Sequence, residues 1–184
     1  MKFPLGPKQV QGLTDSNWGP QDQSIPKEYS VQPSVDLFKT RSIAGYIIWL
    51  GGPLDWMSKR QSYTARSSAQ AEIGAIDECT KTLQQIINIL KDLQLDTLYC
   101  NGPIPIHNDA AAAVQWSHNM TTKGLRHIQI RENAVRESIQ SGLIDVKHIT
   151  SKLNPSDMFR KEDKDVNHFI KCRDSVCARP PPSE

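Results

Sequence analysis

Three features of the sequence predict a mixed α/β fold, an antiparallel hairpin half followed by strands and helices that cover them. A β-branched and aromatic run, Ile43 to Leu50, meets Gly51-Gly52-Pro53 and is followed at once by a second run from Leu54 through Met57. The apolar period then becomes helical, with Ile73, Ile76, Leu83, Ile86, Ile87, Leu90 and Leu93 in one stripe between Ser67 and Leu95. Beyond that stripe, short apolar runs alternate with further helical patterns, which sets helices against a sheet.

The elements follow in order. Residues 1–11 read as a linker, because Pro4, Gly6 and Pro7 interrupt any period. Asp15 has only Leu13 and Trp18 as apolar company and by itself reads as a turn residue, and the polar stretch from Gly19 to Gln32 reads as a loop. Links within residues 43–66 are too short for crossovers, so those strands are expected to be antiparallel, with Tyr63 to Arg66 continuing a third. Ser67, with Gln70 three residues on, resembles a capping box and starts the long helix. Pro103 to His107 is a short apolar run whose prolines argue against an interior strand. Ala110 to Trp116 and Ile128 to Ile139 read as helices, Leu143 to Ile149 as a strand, and Ser156 to about Arg173 as a last helix. The whole fits one domain over residues 12–174, with 175–184, ending in Pro-Pro-Pro-Ser-Glu184, as a disordered tail.

At 184 residues, 38% hydrophobic and 23% charged, the chain can bury a core and has no run long enough to cross a bilayer. Its start lacks the apolar segment of a secretory signal, so an intracellular setting is expected. A net charge of +2 permits a polyanion partner without requiring one. Four scattered cysteines show no C-x-x-C spacing. Cys172 and Cys177 near His168 look metal-like, but reduced thiols are the simpler reading.

Four carboxylates stand out: Asp15 in LTDSNWG, Glu72 in SSAQAEIGA, Asp109 in PIHNDAAAA and Asp157 in LNPSDMF. Each lies just beyond an apolar run or inside the apolar stripe of a helix. Acids bunched on the core-facing side of several elements repel one another and lose hydration, so they need a compensating cation. A pair of hard divalent ions would supply it. Each acid also has an ordinary reading. Glu72 suits a helix N-terminus, Asp109 an N-cap, Asp15 a turn and Asp157 a helix start. The combination, not any single acid, points to phosphodiester chemistry.

Gly12-Leu-Thr-Asp15-Ser-Asn-Trp18-Gly19, Ser42 to Tyr46, Trp56-Met-Ser58-Lys59-Arg60-Gln61, Ser67-Ser-Ala-Gln-Ala-Glu72-Ile73 and His107-Asn108-Asp109-Ala110-Ala-Ala occur in order. Arg126-His127-Ile128-Gln-Ile130, Val135-Arg136-Glu137 and Ser156-Asp157-Met-Phe continue them. Together they resemble the ribonuclease H domain of copia-type LTR retrotransposon Pol polyproteins. That family shows GYSDADWAG, S-x-x-GY, W-x-SKKQ, SSTEAEY, CDN-x-AA, KHIDI…VRE and AD-x-x-TK. The match runs from about Gly12 to Asp174. It departs after the fourth acid, where Met158-Phe159-Arg160-Lys161 keeps a lysine but not the threonine, and at Asn133, where the family often has His.

The resemblance implies a ribonuclease H-like mixed sheet and a metal-assisted cleavage of the RNA strand of an RNA–DNA hybrid. It implies two Mg²⁺ ions, with Mn²⁺ as a substitute. Asp15 would touch both ions, Glu72 and Asp109 would hold the one that stabilises the leaving 3′ oxygen, and Asp157 would help hold the one that activates water. A reverse transcriptase in the same polyprotein is the implied partner, and cytoplasmic particles or the nucleus the implied setting. Lys59, Arg60, Lys123, Arg126, Lys147 and Lys152 are candidate phosphate contacts. His127 reads as structural, His148 on the strand before Asp157 as more often clear of the site than near it, and Trp18 and Trp56 as core rather than stacking residues. Two rival readings are a decayed relic that keeps the fold and at most binds nucleic acid, and an integrase- or resolvase-like nuclease, against which the hairpins and the helical Glu72 argue.

Overall fold

The computed structural model describes residues 9–18, 41–119, 130–159 and 166–177. One five-stranded sheet is built from β1 (Gln11–Asn17), β2 (Ile43–Trp49), β3 (Pro53–Arg60), β4 (Ile104–Asn108) and β5 (Ile144–His148), in the order β3-β2-β1-β4-β5. β1, β2 and β3 pair antiparallel, while β4 pairs parallel with both β1 and β5. The described helices are α1 (Ser68–Asp92), α2 (Asp96–Tyr99), α3 (Ala111–His118), α4 (Ile130–Gln140) and α5 (Val166–Cys177), with 3-10 turns at Ser151–Leu153 and Pro155–Phe159. This is the mixed sheet with flanking helices that the sequence predicted.

The sheet has two apolar faces. On one, Ile76, Leu83 and Ile87 of α1 pack with Ala113 of α3 and Val135 of α4 over Ile48, Ile104, Ile106 and Ile144. On the other, Leu13, Ile47 and Val176 of α5 form a smaller cluster with Met158 and Phe159. The long helix begins as read. Ser67 is the N-cap and its hydroxyl accepts from Gln70 N, while Gln70 Oε1 reaches back to Arg66 N at 2.7 Å. It ends in a Schellman motif. Gln94 takes the left-handed region (φ 58), its N–H bonds Lys91 O, and Leu95 N–H bonds Leu90 O. α2, which no apolar period announced, follows from that reversal.

Several expectations are corrected. β1 is a strand, not a turn, because its place between β2 and β4 satisfies its backbone on both sides. β3 runs through Arg60, and residues 61–66 are irregular rather than a further strand. The last helix is not continuous from Ser156. Pro155–Phe159 form a 3-10 turn and α5 starts at Val166. Val10 is fully buried and donates to Tyr99 O, so packing begins ahead of the boundary at Gly12, and α5 continues past Asp174 to Cys177.

β4 is interior despite Pro105. Ile104 N donates to Leu143 O on the β5 side, so the next nitrogen, that of Pro105, faces β1. Register between β1 and β4 begins only at Gly12–Ile106, so the missing N–H removes no ladder bond.

Candidate functional site

β1, β4 and β5 are parallel, so their carboxyl ends lie together, and β3 ends at the same edge. Asp15 sits inside β1, fully buried, opposite Gly45 of β2, which in turn faces Ser58 of β3. Glu72 lies on the first turns of α1, on the face turned to the sheet, and is buried. Asp109 follows β4 directly. One ligand atom from each of Asp15, Glu72 and Asp109 lies within 4.8 Å of the others. Three carboxylate oxygens this close, two of them on buried residues, are a donor set suited to a hard divalent cation.

Asp157 is also buried but lies outside that group. It sits on the 155–159 turn, whose place is fixed by Gly45. A Cβ there would lie 2.7 Å from Phe159 Cβ and 3.3 Å from Ser156 O, so only a bare Cα lets the turn approach. Ser58 Oγ donates to Phe159 O at 2.5 Å from the neighbouring strand. The turn therefore rests at the register position of Asp15, and all four acids share one end of the sheet. His168 Nε2 of α5 stands 2.7 Å from Asp157 Oδ2 and 3.6 Å from Cys172 Sγ. Cys177 is exposed, and among the described residues no cysteine joins a metal-ligating group.

Thr14, the residue before Asp15, is the hub of the site. Its carbonyl accepts from Asn108 Nδ2 at 3.3 Å and from Asn154 Nδ2 at 2.9 Å. Asn154 Oδ1 accepts in turn from Ser156 N and Oγ. Both asparagines are fully buried. Asn108 Nδ2 also donates to Glu72 Oε2 at 2.9 Å, and its Oδ1 accepts from Ala110 N at 2.9 Å. Asp109 is thus not the cap of α3. The N-cap is Ala110, with no side-chain cap bond, and the Asn108 side chain serves the loop instead. Asn154 resembles an ordinary turn residue before Pro155, and nothing in the sequence period marks it. Asn108 did carry a signal. The motif CDN-x-AA puts the acid before the amide, whereas this chain has Asn108 before Asp109.

Among the candidate phosphate contacts, Lys59 and Arg60 are exposed at the end of β3, and Lys147 and Lys152 are exposed on and just beyond β5. Lys123, Arg126 and His127 lie outside the described residues. His148 Nε2 is 3.2 Å from Asp109 O, at the rim. Burial, with Lys147 adding to it, holds the His107 imidazole below its ordinary value. Trp18 and Trp56 are not core. They are 55% and 58% exposed, because β3 is an edge strand and Trp18 falls beyond the last β1 pair, with its indole N–H bonded to Ala65 O. No described helix is long and apolar enough to cross a membrane.

No protein-family model matches the chain. It is 27% identical over 121 residues to the retrovirus-related Pol polyprotein from transposon RE2 of Arabidopsis thaliana, covering 65% of this chain and 8% of that polyprotein. It is 29% identical over 147 residues to the one from transposon TNT 1-94 of Nicotiana tabacum, covering 77% of this chain and 10% of that polyprotein. The chain thus spans only a small part of the length of these relatives. In structure it is similar to LC11-RNase H1, isolated from compost, with a TM-score of 0.56 at 13% identity, covering 83% of this chain and 93% of that one. The same enzyme crystallised with an RNA/DNA hybrid gives a TM-score of 0.50 at 13% identity, covering 83% of this chain and 94% of that one. These likenesses show the ribonuclease H fold and bear out the resemblance to transposon Pol polyproteins.

Proposed function

We propose that this chain, a relative of transposon Pol polyproteins with a ribonuclease H fold, is a divalent-metal-dependent endoribonuclease domain that cuts the RNA strand of RNA–DNA hybrids. The observation that carries the reading is the convergence of Asp15, Glu72 and Asp109, from a strand, a helix and a strand end, within 4.8 Å. Three carboxylates so placed repel one another, and a cation between them relieves that repulsion. Asp15, Glu72 and Asp109 would hold one Mg²⁺ or Mn²⁺, and Asp157, with Asp15, a second. Bound there, the ions would supply the charge that activates water and stabilises the leaving oxygen of a phosphodiester.

The chain's own residues do the rest. Thr14, Asn108 and Asn154 fix the acids, while Lys59, Arg60 and Lys152 at the same edge offer cations to a phosphate backbone. Distinguishing RNA from DNA rests on the 2′-hydroxyl in the shallow minor groove. A net charge of +2 supplies few backbone contacts, so a tethered reverse transcriptase would contribute much of the affinity.

A second reading, a relic that keeps the fold without turnover, is favoured by one observation: the buried position facing Glu72 at the end of β4 holds the amide Asn108 rather than an acid. The test is cleavage of a labelled RNA–DNA hybrid with and without Mg²⁺, beside duplex RNA and duplex DNA. Metal-dependent cutting of the hybrid RNA alone supports the nuclease. Equal binding of all three in Ca²⁺, with no cutting once Mg²⁺ is restored, supports the relic.

A further inference from the structure

We propose that Asn108 is a positioning residue that preforms the acidic site without an ion, holding Glu72 by a neutral hydrogen bond, and that it lowers the site's affinity for a divalent cation below what an acid at that position would give. The inference rests on reading Asp15, Glu72 and Asp109 as a cation site.

The geometry fixes the direction of every bond. Asn108 is fully buried, and its Oδ1 accepts from Ala110 N, which can only donate. Its Nδ2 must then be the atom 2.9 Å from Glu72 Oε2, which, ionised, can only accept. The reverse placement of the amide would set two acceptors against each other and two donors against each other. The Asn108 Nδ2 hydrogens therefore do for Glu72 part of what a cation does: they place positive partial charge on a buried carboxylate oxygen. The same nitrogen reaches Thr14 O at 3.3 Å and Thr14 Oγ1 at 3.1 Å, so the contact ties α1 to β1 beside Asp15. An aspartate at position 108 would lose these donors and add a charge where Asp15, Glu72 and Asp109 already crowd. Such a site would be less stable empty and would bind an ion more tightly.

The experiment compares the wild type with Asn108→Asp, Asn108→Ala and the exchange double variant Asn108→Asp/Glu72→Gln, using melting temperature and calorimetric Mn²⁺ binding. Without metal, Asn108→Asp melts lower than the wild type, or folds only when Mn²⁺ is added, and it binds Mn²⁺ at least about tenfold more tightly. Asn108→Ala melts lower with no gain in Mn²⁺ affinity. The exchange variant restores the 108–72 donor–acceptor pair with the roles reversed but not the donation to Thr14 O, so it recovers part of the metal-free melting temperature that Asn108→Asp loses.

Two outcomes overturn the inference while leaving the cation site standing: Asn108→Asp binding Mn²⁺ no more tightly than the wild type, or the exchange variant melting no higher than Asn108→Asp alone. Failure of the site itself is separately visible. If neither the wild type nor Asn108→Asp binds Mn²⁺, the cation reading falls, and with it the affinity half of the inference, whereas the exchange variant still decides the positioning half.

Discussion

His168 on α5 holds Asp157 on the Pro155–Phe159 turn, Nε2 to Oδ2 at 2.7 Å. Because Asp157 is buried and His168 only part-buried, this contact gives a desolvated acid a partner other than an ion.

If Asp157 helps hold a metal ion, as proposed, His168 competes with that ion for its carboxylate. In a cleavage assay, His168→Ala should lower the Mg²⁺ concentration at half-maximal rate by roughly tenfold, the lower end of what one hydrogen bond to a charged group contributes, because His168 is partly exposed. A higher Mg²⁺ requirement in the variant would mean instead that His168 aims Asp157 at the ion.

Gly45→Ala should displace the turn that carries Asp157. The added Cβ would stand 2.7 Å from Phe159 Cβ, and overpacking of this kind costs about 1–3 kcal/mol. Melting temperature should fall modestly and the turnover rate steeply. Pairing it with Phe159→Gly, which removes the opposing Cβ, should recover part of both. No recovery would show that the turn's position does not depend on this contact.

Asp109→Asn should abolish hybrid cleavage while preserving or raising metal-free thermal stability. The residue provides no cap for α3, and removing its charge relieves repulsion among three acids lying within 4.8 Å. A drop in metal-free melting temperature of the size expected for a lost N-cap, about 1 kcal/mol, would contradict this.

Stability should fall at alkaline pH. Burial, with the Asp55 carboxylate adding to it, pushes up both the Tyr46 phenol and the Cys79 thiol. The folded state thus keeps both protonated, while the unfolded chain releases the protons near their ordinary values of 9.0 for the thiol and 10.0 for the phenol. The contribution is fully present below those values and is lost as pH rises above them, at about 1.4 kcal/mol per pH unit for each group. Melting curves between about pH 8 and 10.5 check it, and Tyr46→Phe should flatten the upper part of the decline.

The long helix, the β2–β3 hairpin, the β5 strand and the grouping of Asp15, Glu72 and Asp109 were legible in the sequence. Each rests on a local signal: the apolar period of α1 and its Ser67 cap, the Gly51-Gly52 turn, or motifs matching a known family. β1 was not legible from period alone. Its alternation is broken by Gly12, Asp15 and Ser16, which are buried because neighbouring strands and α1 close over them, not because they are apolar. The exposure of Trp18 and Trp56 was equally hidden, since which strand forms an edge is a property of the sheet order.

What the sequence determined by itself is the chemistry available: acids placed where acids are costly, beside an apolar stripe and apolar runs. Only the tertiary structure decided how those acids are held. Asn108 Nδ2 to Glu72 Oε2 joins residues 36 apart, and Asn154 Nδ2 to Thr14 O joins residues 140 apart. Hydrogen bonds between positions so distant leave no trace in local spacing, because each partner's choice is set by what the fold brings opposite it. The neutral partner given to Glu72 and the histidine given to Asp157 are such choices.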